Sequence, residues 1–299
     1  MKGLKISNAK IVNEGTIEQK DILIIGNRIS KIGNHLEVSE DIEVFDASGK
    51  YIIPGLIDDQ VHFREPGLTH KATIESESKA ALAGGITSFL EMPNTNPQTT
   101  TLEEWEAKNE RAAQTSYANY GFMFGGTNDN LDQILALDSK RVPALKLFLG
   151  SSTGNMLVDD PDVLRNIFRN TNLVIAVHCE DEATIKENLK LAQSQYGEAI
   201  PIDQHPIIRS HEACYLSSSK AIELAKETGA RLHVFHLSTA KELSLFQNDI
   251  PLKEKKITAE VCVHHLWFND TDYKKKGTHI KWNPAVKTKK DREGLWKAL

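Results

Sequence analysis

From Tyr51 onward the chain alternates short apolar runs with longer stretches of helical periodicity, and this alternation restricts its fold more than any other feature. After a first strand opened by Pro54-Gly55, strand candidates fall at 86–91, 120–124, 143–149, 173–178, 231–237 and 257–263. Helical patterns separate or follow them at 73–83, 102–113, 130–137, 161–168, 182–196, 212–228 and 241–248, and Gly84-Gly85 suits a C-terminal cap for the first. About seven strand–helix units of this kind predict a parallel sheet flanked by helices. A (β/α)8 barrel needs one more unit, and a doubly wound open sheet is the competing arrangement.

Residues 1–52 read differently. Runs at 4–7, 9–12, 21–25, 28–32 and 42–45 are rich in β-branched residues, with turns at Asn13-Glu14-Gly15 and Gly26-Asn27. The expectation is a small β-sandwich-like domain over 1–52 and a barrel domain over 53–299 holding strands 1–7. The tail from Asp291 to Leu299 reads as a helix in mid-course, so a fragment that stops before an eighth strand is expected.

Bulk properties exclude several function classes. A net charge of −5 gives no electrostatic case for nucleic acid or acidic membranes. No apolar run reaches membrane-spanning length, and the first residues lack a signal-peptide core. Three widely spaced cysteines, Cys179, Cys214 and Cys262, suit reduced thiols in a cytoplasmic protein and read as core residues, not as ligands or nucleophiles.

Polar side chains of catalytic type recur where the strand candidates end. They are His62 and Arg64 after the first strand, Asn94, Lys146, His178 and His236. The carboxyl ends of barrel strands are where such folds keep their active sites. Singly, each has an ordinary structural explanation: a hydrogen-bonded histidine, a snorkelling lysine, a turn-forming asparagine. Recurrence at the same end of successive units argues for one shared site. Gln60 and His62, two residues apart on a strand, point to one face.

The stretch Gly55-Leu56-Ile57-Asp58-Asp59-Gln60-Val61-His62-Phe63-Arg64-Glu65-Pro66-Gly67, with Met92-Pro93-Asn94-Thr95, resembles the dihydroorotases of the cyclic amidohydrolase superfamily. The resemblance implies an α/β fold, the TIM-like barrel of the metal-dependent hydrolases, incomplete at its C-terminus and preceded by a small β-domain. It assigns His62 to one metal, His178 and His236 to a second, and Lys146 as a carboxylated bridge between them. Gln60 stands where relatives usually carry the first histidine of a His-x-His pair, and it offers an amide oxygen, a weaker neutral ligand than imidazole. One or two zinc ions are implied, with other divalent metals open. Arg64, Asn94 and Asn283 would contact a substrate carboxylate and ring. The general-base aspartate is expected beyond Leu299.

The activity so implied is the reversible hydrolysis of dihydroorotate to N-carbamoyl-L-aspartate in pyrimidine synthesis. A hydantoinase-like cyclic amidase and an inactive subunit scaffolding aspartate transcarbamoylase are the alternatives. A homodimer is also left open. His264-His265 receive no role at this stage.

Overall fold

A computed structural model describes residues 3–150 and 156–299. The chain divides into two compact units, one of residues 1–57 with 85–87, the other of residues 58–84 with 88–299.

In the first unit, β1 (Gly3–Asn13), β2 (Thr16–Ile25), β3 (Arg28–Gly33), β4 (Glu43–Asp46) and β5 (Tyr51–Ile52) form one mixed sheet in the order β3-β2-β1-β4, with β5 also on β1. The runs expected to be two strands at 4–7 and 9–12 are a single strand carrying a bulge, with Asn8 at φ 59°. A bulge of this kind lets one long strand change pairing register without ending. The strands expected to make a sandwich-like domain therefore make a single sheet among the described residues. Asp21, buried in its middle, accepts the Asn8 and Leu36 backbone N–H groups and pairs with Lys5.

The second unit holds the parallel array: β6 (Leu56–Val61, entering from the first unit), β7 (Ile86–Glu91), β8 (Asn119–Phe122), β9 (Phe124–Gly125), β10 (Leu145–Phe148), β11 (Ile175–His178), β12 (Leu232–Val234) and β13 (Ile257–Ala259). They pair as β6-β7-β8 and β13-β12-β11-β10-β9. β8 and β9 continue one strand position. Met123 between them donates to Glu91 on one side, and Phe124 donates to Ala144 on the other. The result is an incomplete (β/α) barrel of seven strand positions among the described residues, with helices covering its outside.

Alternation along the strands sorts the core. Leu145, Leu147, Ile175, Val177, Leu232 and Val234 join the large cluster packed beneath the helices. Ala144, Ala176 and Phe235, with Met92 and Met123, make a separate cluster on the other face of the strands. Lys146 lies in register with Ala176, and Ala176 with His233, so this second face carries the polar residues too.

Helix starts follow local capping chemistry: Thr73, Thr101, Asp160, Asp181 and Ser210 each accept a backbone N–H from the first turn that follows. The tail read as a helix in mid-course has a start of its own, a capping box between Thr288 and Asp291. Several expected elements shrink, the 231–237 strand to Leu232–Val234 and the 130–137 helix to Leu131–Leu135 among them. The 241–248 helix is only a 3-10 turn at Glu242–Leu245, and the 257–263 strand ends at Ala259 before a short helix, Val263–Trp267. Thr239 and Ser218 bind the buried Glu242 carboxylate, which anchors that turn where apolar periodicity alone suggested a full helix. Among the described residues no helix is long and apolar enough to cross a membrane.

Candidate active site

Parallel pairing sets β10, β11 and β12 side by side, with Phe148 opposite His178 and Val177 opposite Val234. His236, two residues past β12, adopts φ 41°, a left-handed conformation that re-aims its ring. His178 Nδ1 thereby approaches His236 Nε2 to 3.0 Å, the rings nearly perpendicular at 80°. Burial depresses both imidazole pKa values. For His178 the Glu180 carboxylate works against that shift, while for His236 the neighbouring His178 and Lys146 add to it. Both rings are therefore neutral near pH 7, each with one lone pair to offer.

Two neutral nitrogens at this separation either share a single proton or converge on one cation. Zinc–nitrogen bonds of about 2.0–2.1 Å in a tetrahedron place two donors about 3.3 Å apart. The His178–His236 pair fits a divalent ion on that test. His178 Nε2 lies 3.0 Å from Glu180 Oε2, though without hydrogen-bond alignment. Burial opposes ionisation of Glu180, but His178, Arg209 and Lys287 outweigh it and hold the carboxyl at about 2. Glu180 in turn forms an ion pair with Arg209.

Lys146, 1% exposed, packs its Nζ over the rings of Phe148 at 4.6 Å and Phe235 at 4.3 Å. It has no ion-pair or hydrogen-bond partner among the described residues. Burial brings its pKa down to about 7, against weak opposing pulls from Cys179 and Glu260. Much of it is thus a free amine at neutral pH, a form reactive toward carbon dioxide. Its charge depresses His62, His178 and His236 alike, so the four groups share one electrostatic environment.

His62 Nδ1 meets Asn94 Oδ1 at 2.8 Å, which joins the ends of β6 and β7. Burial, then Arg64 and Lys146, push the His62 imidazole down to about 3. Arg64 sits at φ 69°, and its backbone N–H and that of Phe63 both reach the Glu91 carboxylate. Glu91 is ion-paired with Lys108, which also donates to Met92 O and Thr99 Oγ1. Gly67, at φ 80°, has no room for a side chain, since a Cβ there would meet Asn96 O at 1.9 Å. The Arg64 and Asn94 loops are therefore held closely against each other.

Of the other residues read from the sequence, Gln60 turns its Oε1 to Cys262, whose thiol donates to it at 3.1 Å. Asn283 is exposed, next to a Trp282 ring that stacks on His264 at 4.3 Å. So the structure brings His178 and His236 together, couples His62 to Asn94, and sets Lys146 among them electrostatically. Sequence reading passed over Glu180, Arg209, Glu91 and Lys108. The first lies in the very Val-His-Cys-Glu stretch that supplied His178, but buried acids that partner distant bases leave no local spacing signal.

These features agree with comparisons to known proteins. A family model described as dihydro-orotase-like matches residues 49–242. A dihydroorotase from Methanosarcina mazei is 32% identical over 96% of this chain and 64% of its own length. One from Carboxydothermus hydrogenoformans is 33% identical over 99% and 67%. The solved L-hydantoinase of Arthrobacter aurescens superposes with a TM-score of 0.92 at 26% identity, covering 99% of this chain and 66% of that one. The chain spans about two thirds of the length of the relatives it matches. Strand-end histidines facing each other, a buried lysine and the arginine loop are thus carried on a barrel shared with these enzymes, and the chain belongs to the dihydro-orotase-like family.

Proposed function

We propose that the chain carries the metal-holding and carboxylate-recognising part of a dihydroorotase, which opens and closes the cyclic amide of dihydroorotate and N-carbamoyl-L-aspartate. The observation that carries this reading is the 3.0 Å approach of His178 to His236 beside a buried Lys146. His178, His236 and Lys146, with His62, would hold a divalent ion, zinc by preference for this donor set. Bound there, the metal supplies Lewis acidity toward the ring carbonyl.

The chain's own residues account for the rest. Carboxylation of the Lys146 amine joins its nitrogen to the carbon of carbon dioxide and releases a proton, which converts a repelling cation into an anionic oxygen donor. The half-buried Arg64 guanidinium offers a planar, bidentate partner to a substrate carboxylate. Asn94, oriented by His62, adds an amide N–H to the same group. Phe148 and Phe235 line the lysine and keep bulk water from it. Arg64 and Asn94 favour a charged ring over neutral hydantoins. The hydantoinase-like alternative draws on the fold likeness to L-hydantoinase.

The test is metal content together with hydrolysis of dihydroorotate and of 5-substituted hydantoins, on this chain and on a form extended at the C-terminus. Metal-dependent turnover of dihydroorotate well above hydantoins is the expected result. The reverse preference establishes a hydantoinase. If both forms lack metal and activity, the enzyme reading fails, and co-purification with aspartate transcarbamoylase becomes the measurement for a scaffold.

A further inference from the structure

The His264-His265 pair has no part in the site above. Past β13 the chain turns through Cys262 into the helix Val263–Trp267, which carries both histidines. The ligand atoms of Cys262, His264 and His265 all lie within 4.8 Å of one another. His265 is 3% exposed, and its Nε2 donates to Pro284 O at 3.1 Å. That contact fixes the tautomer: the proton is on Nε2, and Nδ1 carries a lone pair.

Nδ1 is buried with no hydrogen-bond partner. A buried polar atom left without a partner is destabilising, and a ligand at Nδ1 would relieve it. Imidazoles that bind metals ordinarily donate their other N–H to a carbonyl or carboxylate, as His265 does here. The His264 ring is held in place too, stacked on Trp282 with an interplanar angle of 18°. The Cys262 thiol donates to the Gln60 amide oxygen at 3.1 Å, which places that oxygen beside the sulfur.

We propose that Cys262, His264 and His265 form a second zinc(II) site, separate from the His178–His236 pair, with the Gln60 amide oxygen as its fourth donor. One sulfur, two imidazole nitrogens and one oxygen are a four-coordinate set that suits zinc. Binding replaces the thiol S–H bond with a sulfur–metal bond and releases that proton to solvent. The site also gives Gln60 a reason to face Cys262 in place of the ring of a catalytic histidine. It would clamp the turn after β13 to β6, the strand that leads into His62, since Gln60 lies on β6.

Cobalt(II) is the probe. A cobalt–thiolate bond gives a near-ultraviolet charge-transfer band that a site of histidines and a lysine cannot produce. Metal-stripped protein titrated with cobalt(II) should develop this band, and so should the His178→Asn/His236→Asn double variant, in which the first site is emptied. Cys262→Ser, nearly isosteric, should lose the band and one equivalent of bound cobalt while keeping its circular dichroism. His264→Gln should weaken the band without removing the thiol, which guards against misfolding of any one variant. No thiolate band in the wild type, or a band that survives Cys262→Ser through Cys179 or Cys214, overturns the proposal. Loss of the band in the double variant alone would also overturn it, because the thiolate would then belong to the first site.

Discussion

Glu91 at the end of β7 and Lys108 on the helix Leu102–Thr115 form an ion pair whose side chains are both 1% exposed. Burial pulls the two pKa values toward each other, Glu91 up to about 7 and Lys108 down. The same carboxylate holds the Phe63 and Arg64 backbone, so the pair fixes where the guanidinium starts. Lys108→Met leaves a buried acid without its base and should cost about 3–5 kcal/mol of stability. Pairing it with Glu91→Leu should restore most of that loss while leaving Arg64 poorly placed. Chemical denaturation of the two variants, with KM for dihydroorotate, checks both parts. A single variant as stable as wild type would remove the argument.

On the proposed reading, Arg64 supplies the charge that pairs with a substrate carboxylate. Arg64→Met should raise KM for dihydroorotate by about 10- to 100-fold, the loss of a charge-assisted hydrogen-bond pair worth about 1.5–3 kcal/mol. Metal content should not change, because the side chain is not among the metal-facing groups. Steady-state kinetics with metal analysis of the same preparation decides it, and an unchanged KM sinks the preference for a charged substrate.

Stability of the metal-free protein should fall as the solution is acidified. Burial holds His62 and His265 at about 3 and His205 and His264 at about 4, and lowers His178 and His236 as well. Below the ordinary value near 6.5 the unfolded chain takes up protons that the folded chain refuses, so stability rises with pH across that window. Glu91, Glu242 and Glu260, raised by burial, act in the opposite sense above pH 4.5. Six histidines against three acids leave the histidine sign in control. Thermal melts in chelator between pH 7 and pH 5 should show a falling Tm, and a flat or rising Tm would contradict it.

Metal removal gives the complementary experiment. An ion bound only to the folded state at about 100 times its Kd contributes about 2.7 kcal/mol, so chelation should lower Tm measurably. In a Cys262→Ser background, where only the His178–His236 site can bind, His236→Asn should abolish most of that difference. Asparagine tolerates the left-handed backbone at this position, so the variant tests the imidazole without breaking the turn. Calorimetry with and without zinc reads the outcome.

The alternation of strands and helices was legible in the sequence because period-2 and period-3.6 patterns are local. Lys146, His178 and His236 were legible too as polar residues of successive strand units; parallel register sets Lys146 and His178 on one face, while His236, past the end of β12 in a left-handed conformation, meets His178 at 3.0 Å. Contacts between side chains distant in sequence were not legible. Gln60 meets Cys262 some two hundred residues away, and no spacing rule reaches that far. The 241–248 segment misled for a different reason. Its apolar periodicity is real, but the chain there forms only a 3-10 turn, and periodicity does not register the buried contact of the Glu242 carboxylate with the Ser218 and Thr239 hydroxyls.

Lys146 and Ala176 occupy facing positions on adjacent strands, about 4.8 Å apart. The longest side chain of that row is flanked by one of the shortest. The small Ala176 leaves space beside the Lys146 side chain, and on the proposed reading that space serves whatever is built on the lysine nitrogen. Enlarging it to valine or leucine would crowd the amine against Phe148 and Phe235 before it disturbed any group with a chemical role. A relative could thus fall silent with every reactive residue intact, disabled by a methyl group where an alanine had left room.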